Sequence, residues 1–187
     1  MFVLLLGAPG SGKGTQGKIL AERLGLRKIT TGDILRAAVR EGTPLGRQAK
    51  KYMDDGKLVP DSVILGLIKE ELANPDAKDG AIFDGFPRTA AQAELVDTTL
   101  GEHGQRLNRV LLLDVPEEEL LRRLTGRAAQ EGRSDDTPAA IQTRLQVYQR
   151  DTAPLVAHYV ERGIVHRVPG SGPVDAIATE IQRILGR

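Results

Sequence analysis

Short apolar runs alternate along this chain with longer stretches whose apolar residues recur at helical spacing. Phe2-Val3-Leu4-Leu5-Leu6 is the first run and has the length of a buried strand. Gln16 to Leu24 follows as a helix, with Ile19, Leu20 and Leu24 in register. Arg27 to Thr30 reads as a short second strand, and Ile34 to Arg40 as a helix that Thr31 or Asp33 would cap. Gly42-Thr43-Pro44 interrupts the pattern, a helix covers Leu45 to Asp54, Gly56 ends it, and Lys57 to Pro60 is extended. Asp61 then caps a helix with Val63, Ile64, Leu67, Ile68 and Leu72 on one face. The helical material from Thr30 to Val59 is long for a simple crossover and reads as a small subdomain.

Turn residues at Asn74-Pro75-Asp76 and Asp79-Gly80 lead into a third strand, Ala81-Ile82-Phe83, closed by Asp84. Thr89 caps a helix over Ala90 to Leu100, and Arg109 to Val115 is the clearest buried strand. Pro116 opens a helix with Leu120, Leu121 and Leu124 inward. Gly126 to Asp136 is charged, glycine-bearing and aperiodic, which predicts an exposed loop. Thr137-Pro138 starts a long helix holding Ile141, Leu145 and Tyr148, bent or restarted at Pro154. Ile164 to Val168 is the last strand, and Pro173 opens a helix that buries Val174, Ile177, Ile181, Ile184 and Leu185. This alternation predicts an α/β fold: a parallel sheet with right-handed crossovers and helices on both faces. Ligands of such sheets bind beyond the carboxyl ends of the strands.

Composition narrows the function. A chain of 187 residues is one domain by length and buries roughly 70% of its extended surface. With three Phe, three Tyr and no Trp, its core must be mostly aliphatic. The absence of cysteine excludes disulfides and cysteine-ligated zinc, and fits a reducing compartment. A net charge of +1, from 26 basic and 25 acidic residues, argues against a general nucleic-acid or membrane field. The apolar opening lacks a positive flank and stops at Gly7, so it does not read as a secretory leader. No run reaches the ~20 apolar residues of a membrane span. A soluble cytoplasmic protein is expected.

The chemistry starts at Gly7-Ala8-Pro9-Gly10-Ser11-Gly12-Lys13-Gly14-Thr15. Strand, glycine-rich loop and helix in this order make a phosphate cradle, with backbone N–H groups, a helix N-terminus and a lysine converging on an anion. Gly14 stands where a serine or threonine would supply a hydroxyl to magnesium, and Thr15 comes one place later. Asp84, closing a strand, could reach the ion instead, chiefly through water. Arg88 with Arg36 could clamp a second phosphate. Arg123 and Arg127 share a helix face, Arg133 lies in the loop behind them and Arg144 on the next helix, a set suited to spreading phosphate charge. Arg122 reads as an ordinary solvated arginine. His103, His158 and His166 show no metal spacing, and Ser11 belongs to the glycine loop rather than to a hydrolase triad.

Taken together, Gly7 to Gln16, Thr31-Gly32-Asp33 with Arg36, and Asp84-Gly85-Phe86-Pro87-Arg88 resemble the signatures of adenylate kinases. Asp114-Val115-Pro116 and Arg133-Ser134-Asp135-Asp136 are similar to later segments of that family, whose own loop has glycine before the threonine. The resemblance implies a P-loop three-layer fold with a five-stranded parallel sheet, and reversible phosphoryl transfer from magnesium ATP to AMP, giving two ADP. It divides the chain into a core (1–29, 60–125, 137–187), a nucleoside-monophosphate subdomain (30–59) and a short lid (126–136). By the family pattern, Gly10, Ser11, Gly12, Lys13, Gly14 and Thr15 cradle ATP, Arg127 covers its adenine side and Gly172 lies beside the base. Thr31, Arg36, Lys57, Leu58, Val59, Gly85, Phe86, Pro87, Arg88 and Gln92 would line the AMP site, together with Arg133 and Arg144. Lys13, Arg88, Arg123, Arg133 and Arg144 would neutralise charge during transfer. The short lid and lack of cysteine imply no structural zinc, and the family pattern implies a monomer.

Alternatives share the fold. A UMP or CMP kinase would resemble this chain except near Thr31 and just after Arg88, where Thr89 and Gln92 favour AMP through pairing of the Gln92 amide with an adenine edge. A nucleotide-binding switch has little need of the arginine set. A small-metabolite kinase leaves the second arginine-lined phosphate site unexplained.

Overall fold

The computed structural model describes residues 1–131 and 136–186, with backbone alone over 129–131. The first half runs β1 (Phe2–Leu6), α1 (Lys13–Leu24), β2 (Arg27–Thr30), α2 (Thr31–Arg40), α3 (Pro44–Asp54), α4 (Asp61–Ala73) and β3 (Ala81–Asp84). The second runs α5 (Ala90–Glu102), β4 (Leu107–Asp114), α6 (Glu117–Glu131), α7 (Pro138–Val147), α8 (Leu155–Val160), β5 (Val165–Pro169) and α9 (Val174–Leu185). The strands form a five-stranded, all-parallel sheet in the order β2-β3-β1-β4-β5. β1 is therefore central, and its apolar run is buried along its whole length.

The alternation of side chains along β1 builds two cores. Phe2, Leu4 and Leu6 face one layer with Ile29, Phe83, Val110 and Leu112, covered by Ile68 of α4, Val96 of α5 and Tyr159 of α8. Val3 and Leu5 face the other with Ile82, Leu111, Leu113 and Val168, covered by Leu20 of α1 and Ile177 and Ile181 of α9. Each buried aliphatic side chain contributes about 1.5–3 kcal/mol, so a charged residue at Leu4 or Leu5 would break a core. Leu35, Ala49 and Val59 of the 30–59 insert join the first core directly. Within the insert, α3 crosses α2 at Gly46, where a Cβ would lie 2.0 Å from the Ala38 carbonyl.

Several helix ends differ from the pattern-based reading. α1 begins at Lys13, because Gly12 (φ 95°) takes the N-cap position in a left-handed conformation. α2 follows β2 without a gap: Thr30 is its N-cap, and Thr31 and Asp33 lie in its first turn rather than capping it. The Thr31 hydroxyl is instead drawn to the Gly85 carbonyl, 2.9 Å away. Pro60, not Asp61, takes the N-cap position of α4. α6 continues to Glu131, so residues 126–131 are helical and not loop; Gly126 is carried by the good helix formers around it. Leu121 (42% exposed) and Val174 (46%) face outward, contrary to the inward positions expected of them. Thr137 and Pro138 do cap and open α7. A π-helical turn over Tyr148–Thr152 precedes the restart at α8.

Candidate active site

The carboxyl ends of β1, β2 and β3 lie side by side, with Leu5 and Thr30 both in register with Asp84. The glycine loop leaves β1 here and folds against α6: a Cβ on Gly10 would lie 3.1 Å from the Leu120 carbonyl and 3.0 Å from Leu124 Cγ. Lys13 closes onto this loop, donating to the carbonyls of Gly7 (2.6 Å) and Ala8 (2.8 Å) and to Ser11 Oγ (3.3 Å). Burial lowers its pKa to about 8; Asp84 pulls upward, while Arg88, Arg144 and Arg127 push further down.

A groove of about 1080 Å3 opens along this rim. Gly10, Ser11, Gly12, Lys13, Gly14 and Thr15 line one part of it, and Gly172 continues the same wall. Arg36, Leu58, Gly85, Pro87 and Arg88 line another part, and Arg123, Arg127 and Arg144 reach in from α6 and α7. An adjoining pocket of about 70 Å3 holds Thr31, Lys57, Val59 and Gln92. Phe86 is not on this wall: it is 1% exposed and packs in the sheet core, because the chain turns its ring inward between Gly85 and Pro87. Arg133 lies outside the described residues.

Around Arg88 the site is tightly tied. Arg88 Nε donates to the Gly85 carbonyl (2.7 Å), its backbone N–H to Gln92 Oε1 (2.8 Å), and its carbonyl accepts from Thr152 Oγ1 (3.0 Å). Gln92 Nε2 donates to Asp61 Oδ1 (2.6 Å), whose other oxygen accepts from Thr89 Oγ1 (3.2 Å). Both ends of the Gln92 amide therefore hold protein groups. Arg36 pairs with Asp33 at 2.5 Å.

Across the groove, Arg123 donates to Glu119 Oε1 (2.7 Å) and to the Gly170 carbonyl (3.0 Å). Its guanidinium lies 3.8 Å from where a Cβ on Gly12 would sit, so it bridges the phosphate loop and the Gly170–Gly172 wall. Arg127 and Arg144 both bond to Asp136. Burial works against the charge of that carboxylate, but the hydrogen bonds and charges of Arg127 and Arg144 prevail and hold its pKa below the usual range. Sequence reading missed Asp136 as their anchor. It also missed Gln16, whose amide donates to the Val174 carbonyl at 2.9 Å and so ties α1 to α9, and Lys28, beside Asp84 at 3.4 Å.

Asp84 is buried, and a Cβ on Gly14 would lie 3.8 Å from its Oδ2. Among the described residues no cluster of three or more His, Cys, Asp or Glu could hold a metal ion. One carboxylate beside a phosphate loop fits magnesium, which keeps most of its waters and arrives on substrate phosphates.

A phosphate loop faces a second arginine-lined wall in one groove, and the sequence agrees along its length. The family model for adenylate kinase matches residues 5–164. The chain belongs to the adenylate kinase family. The adenylate kinase of Thermus thermophilus is 52% identical over 184 residues, covering 98% of this chain and 96% of that protein. Adenylate kinase 1 of Synechocystis is 51% identical over 183 residues, covering 98% and 96%. The adenylate kinase of Methanothrix thermoacetophila is 44% identical over 213 residues, covering 100% and 99%. Among the described residues of this adenylate kinase family member, no helix is long and apolar enough to cross a membrane.

Proposed function

We propose that the two walls of the groove hold the two nucleotides of an adenylate kinase reaction, ATP on Gly10–Thr15 and AMP between α2, α4 and α5. The enzyme transfers a phosphoryl group from ATP to AMP, giving two ADP. An oxygen of the AMP phosphate bonds to the γ-phosphorus as the bond to the β-phosphate oxygen breaks. That oxygen is already ionised at neutral pH, so no general base is needed, and no histidine lines the groove among the described residues. Positioning and charge neutralisation carry the catalysis.

The observation that carries this reading is the gathering of cations on one groove, which Lys13, Arg88, Arg123, Arg127 and Arg144 all line. Lys13 would follow the transferred group, Arg88 and Arg36 hold the AMP phosphate, and Arg123, Arg133 and Arg144 spread the charge of the transition state. Gly172 would lie beside adenine through its backbone. Arg127, held on Asp136, would cover the ATP side. Thr31, Lys57, Leu58, Val59, Gly85, Pro87 and Gln92 would enclose the AMP nucleoside.

Adenylate kinases use magnesium with ATP. Asp84 would hold the ion through water, and when bound it supplies neutralising charge to the phosphates. The insert at 30–59 and the short segment at 126–136 would close over the nucleotides and exclude water, which would otherwise hydrolyse ATP. The absence of cysteine supports a form without structural zinc. A cytoplasmic enzyme working on ATP, ADP and AMP, without nucleic acid or membrane, agrees with the near-neutral charge and absent cysteine, and the family pattern implies a monomer.

The test is ADP formation from magnesium ATP with AMP, UMP, CMP or GMP offered separately. Rapid turnover with AMP alone is expected; turnover with a pyrimidine nucleotide instead would overturn the acceptor assignment.

A further inference from the structure

Lys28 lies on β2, one of the two edge strands, with its Cα in register with Ile82. Its stem crosses Gly17 of α1, where an added Cβ would meet Lys28 Cε at 3.1 Å and Cδ at 3.5 Å. The ammonium this stem delivers is 3.4 Å from Asp84 Oδ2 and donates to the Gly14 carbonyl at 3.3 Å. It is largely shielded, the side chains of Lys28 and Asp84 being 18% and 8% exposed. A cation thus sits between the phosphate loop and the carboxylate, at the loop position that has glycine in place of a hydroxyl-bearing residue. Nothing in the phosphate transfer described above uses it.

We propose that Lys28 is a positioning residue that sets how strongly nucleotide binding depends on the divalent ion. Without the ion, its ammonium balances Asp84 and is within reach of the polyphosphate, adding attraction for metal-free ATP. With the ion, two like charges compete for one carboxylate, and Lys28 must yield Asp84. Lys28 therefore favours ATP and opposes magnesium ATP, so both effects reduce the gap between the two affinities. The inference rests on the reading of Asp84 as the metal-side carboxylate.

The experiment is isothermal titration of wild type, Lys28→Met and Asp84→Asn with ATP in EDTA and with ATP in excess magnesium. Methionine keeps a straight apolar stem against Gly17 and removes the charge. The ratio of Kd for ATP to Kd for magnesium ATP should rise at least about fivefold in Lys28→Met. Lys28→Gln should shift it in the same direction, and Lys28→Arg should restore the wild-type ratio. A role in packing alone would move both constants by the same factor, and an unchanged or lowered ratio overturns the proposal. A ratio that moves in Asp84→Asn but not in Lys28→Met removes the role of Lys28 and leaves Asp84 in place. A ratio unmoved in Asp84→Asn removes the metal-side reading, and the proposal with it.

Discussion

Arg127 grips Asp136 with both arms of its guanidinium, at 2.6 and 2.7 Å. Arg144 shares the same carboxylate at 2.5 Å, and the Asp136 side chain is fully shielded from solvent. One buried anion thus gathers two cations from two helices onto the lip of the groove.

Asp136→Asn should lower stability at neutral pH by about 1–3 kcal/mol, the cost of removing a charged hydrogen-bond partner from a shielded pair. The sign of its pH dependence follows from the lowered pKa. The wild-type carboxylate contributes its full stability above the unfolded-state value of about 4 and loses it as pH falls through the folded value. The gap between wild type and variant should therefore close in acid, as read by urea unfolding across a pH series.

Lys13→Met should reduce turnover at least about a hundredfold, as expected for loss of one preorganised donor to the reacting phosphate. The fold should not suffer. A lysine held at about pKa 8 is a charge the folded protein disfavours. Its cost is full below pH 8 and is relieved as pH rises toward the unfolded-state value of about 10.4. The nucleotide-free variant should melt at or above the wild-type temperature at pH 7, and ATP binding to wild type near pH 8 should take up protons. Calorimetry in buffers of different ionisation enthalpy reads the uptake.

Arg88→Ala should weaken AMP about tenfold to a hundredfold while ATP changes less than about threefold. Separate binding titrations decide this, and equal losses would contradict the assignment of Arg88 to the AMP wall.

Gly85 adopts φ +77°, and a Cβ there would lie 2.9 Å from Arg88 Nη2. Gly85→Ala should cost about 1–2 kcal/mol of stability through the left-handed backbone alone. It should also displace the guanidinium, raising KM for AMP more than for ATP in initial-rate assays.

What the sequence disclosed was contiguous chemistry. The phosphate loop could be read because strand, glycines, lysine and helix succeed one another within residues 2–24. The part of the groove lined by Asp84, Gly85, Pro87 and Arg88 was legible for a similar reason, since these residues follow one strand end. Partners brought together by the fold were not. Asp136 sits in a charged aperiodic stretch that looks solvated on paper, and its burial exists only because α6 runs on past Gly126 and carries Arg127 beside it. Gln92 was read as a pairing edge for adenine, whereas the folded amide spans Arg88 and Asp61. Phe86, inside the signature, turned out to pack the core. A pattern in a chain does not say which way a side chain points when strand gives way to turn.

The bond from Gln16 to the Val174 carbonyl joins the first helix of the chain to the last. Gly170, Gly172 and Val174 form part of the groove wall, so that wall is unfinished until this later segment docks. On the ribosome, the phosphate loop emerges early and the wall beside it much later. A nascent chain stalled before residue 170 would carry the cradle without its companion surface. The two halves of that wall would then come together in one step, when α9 has emerged and meets α1.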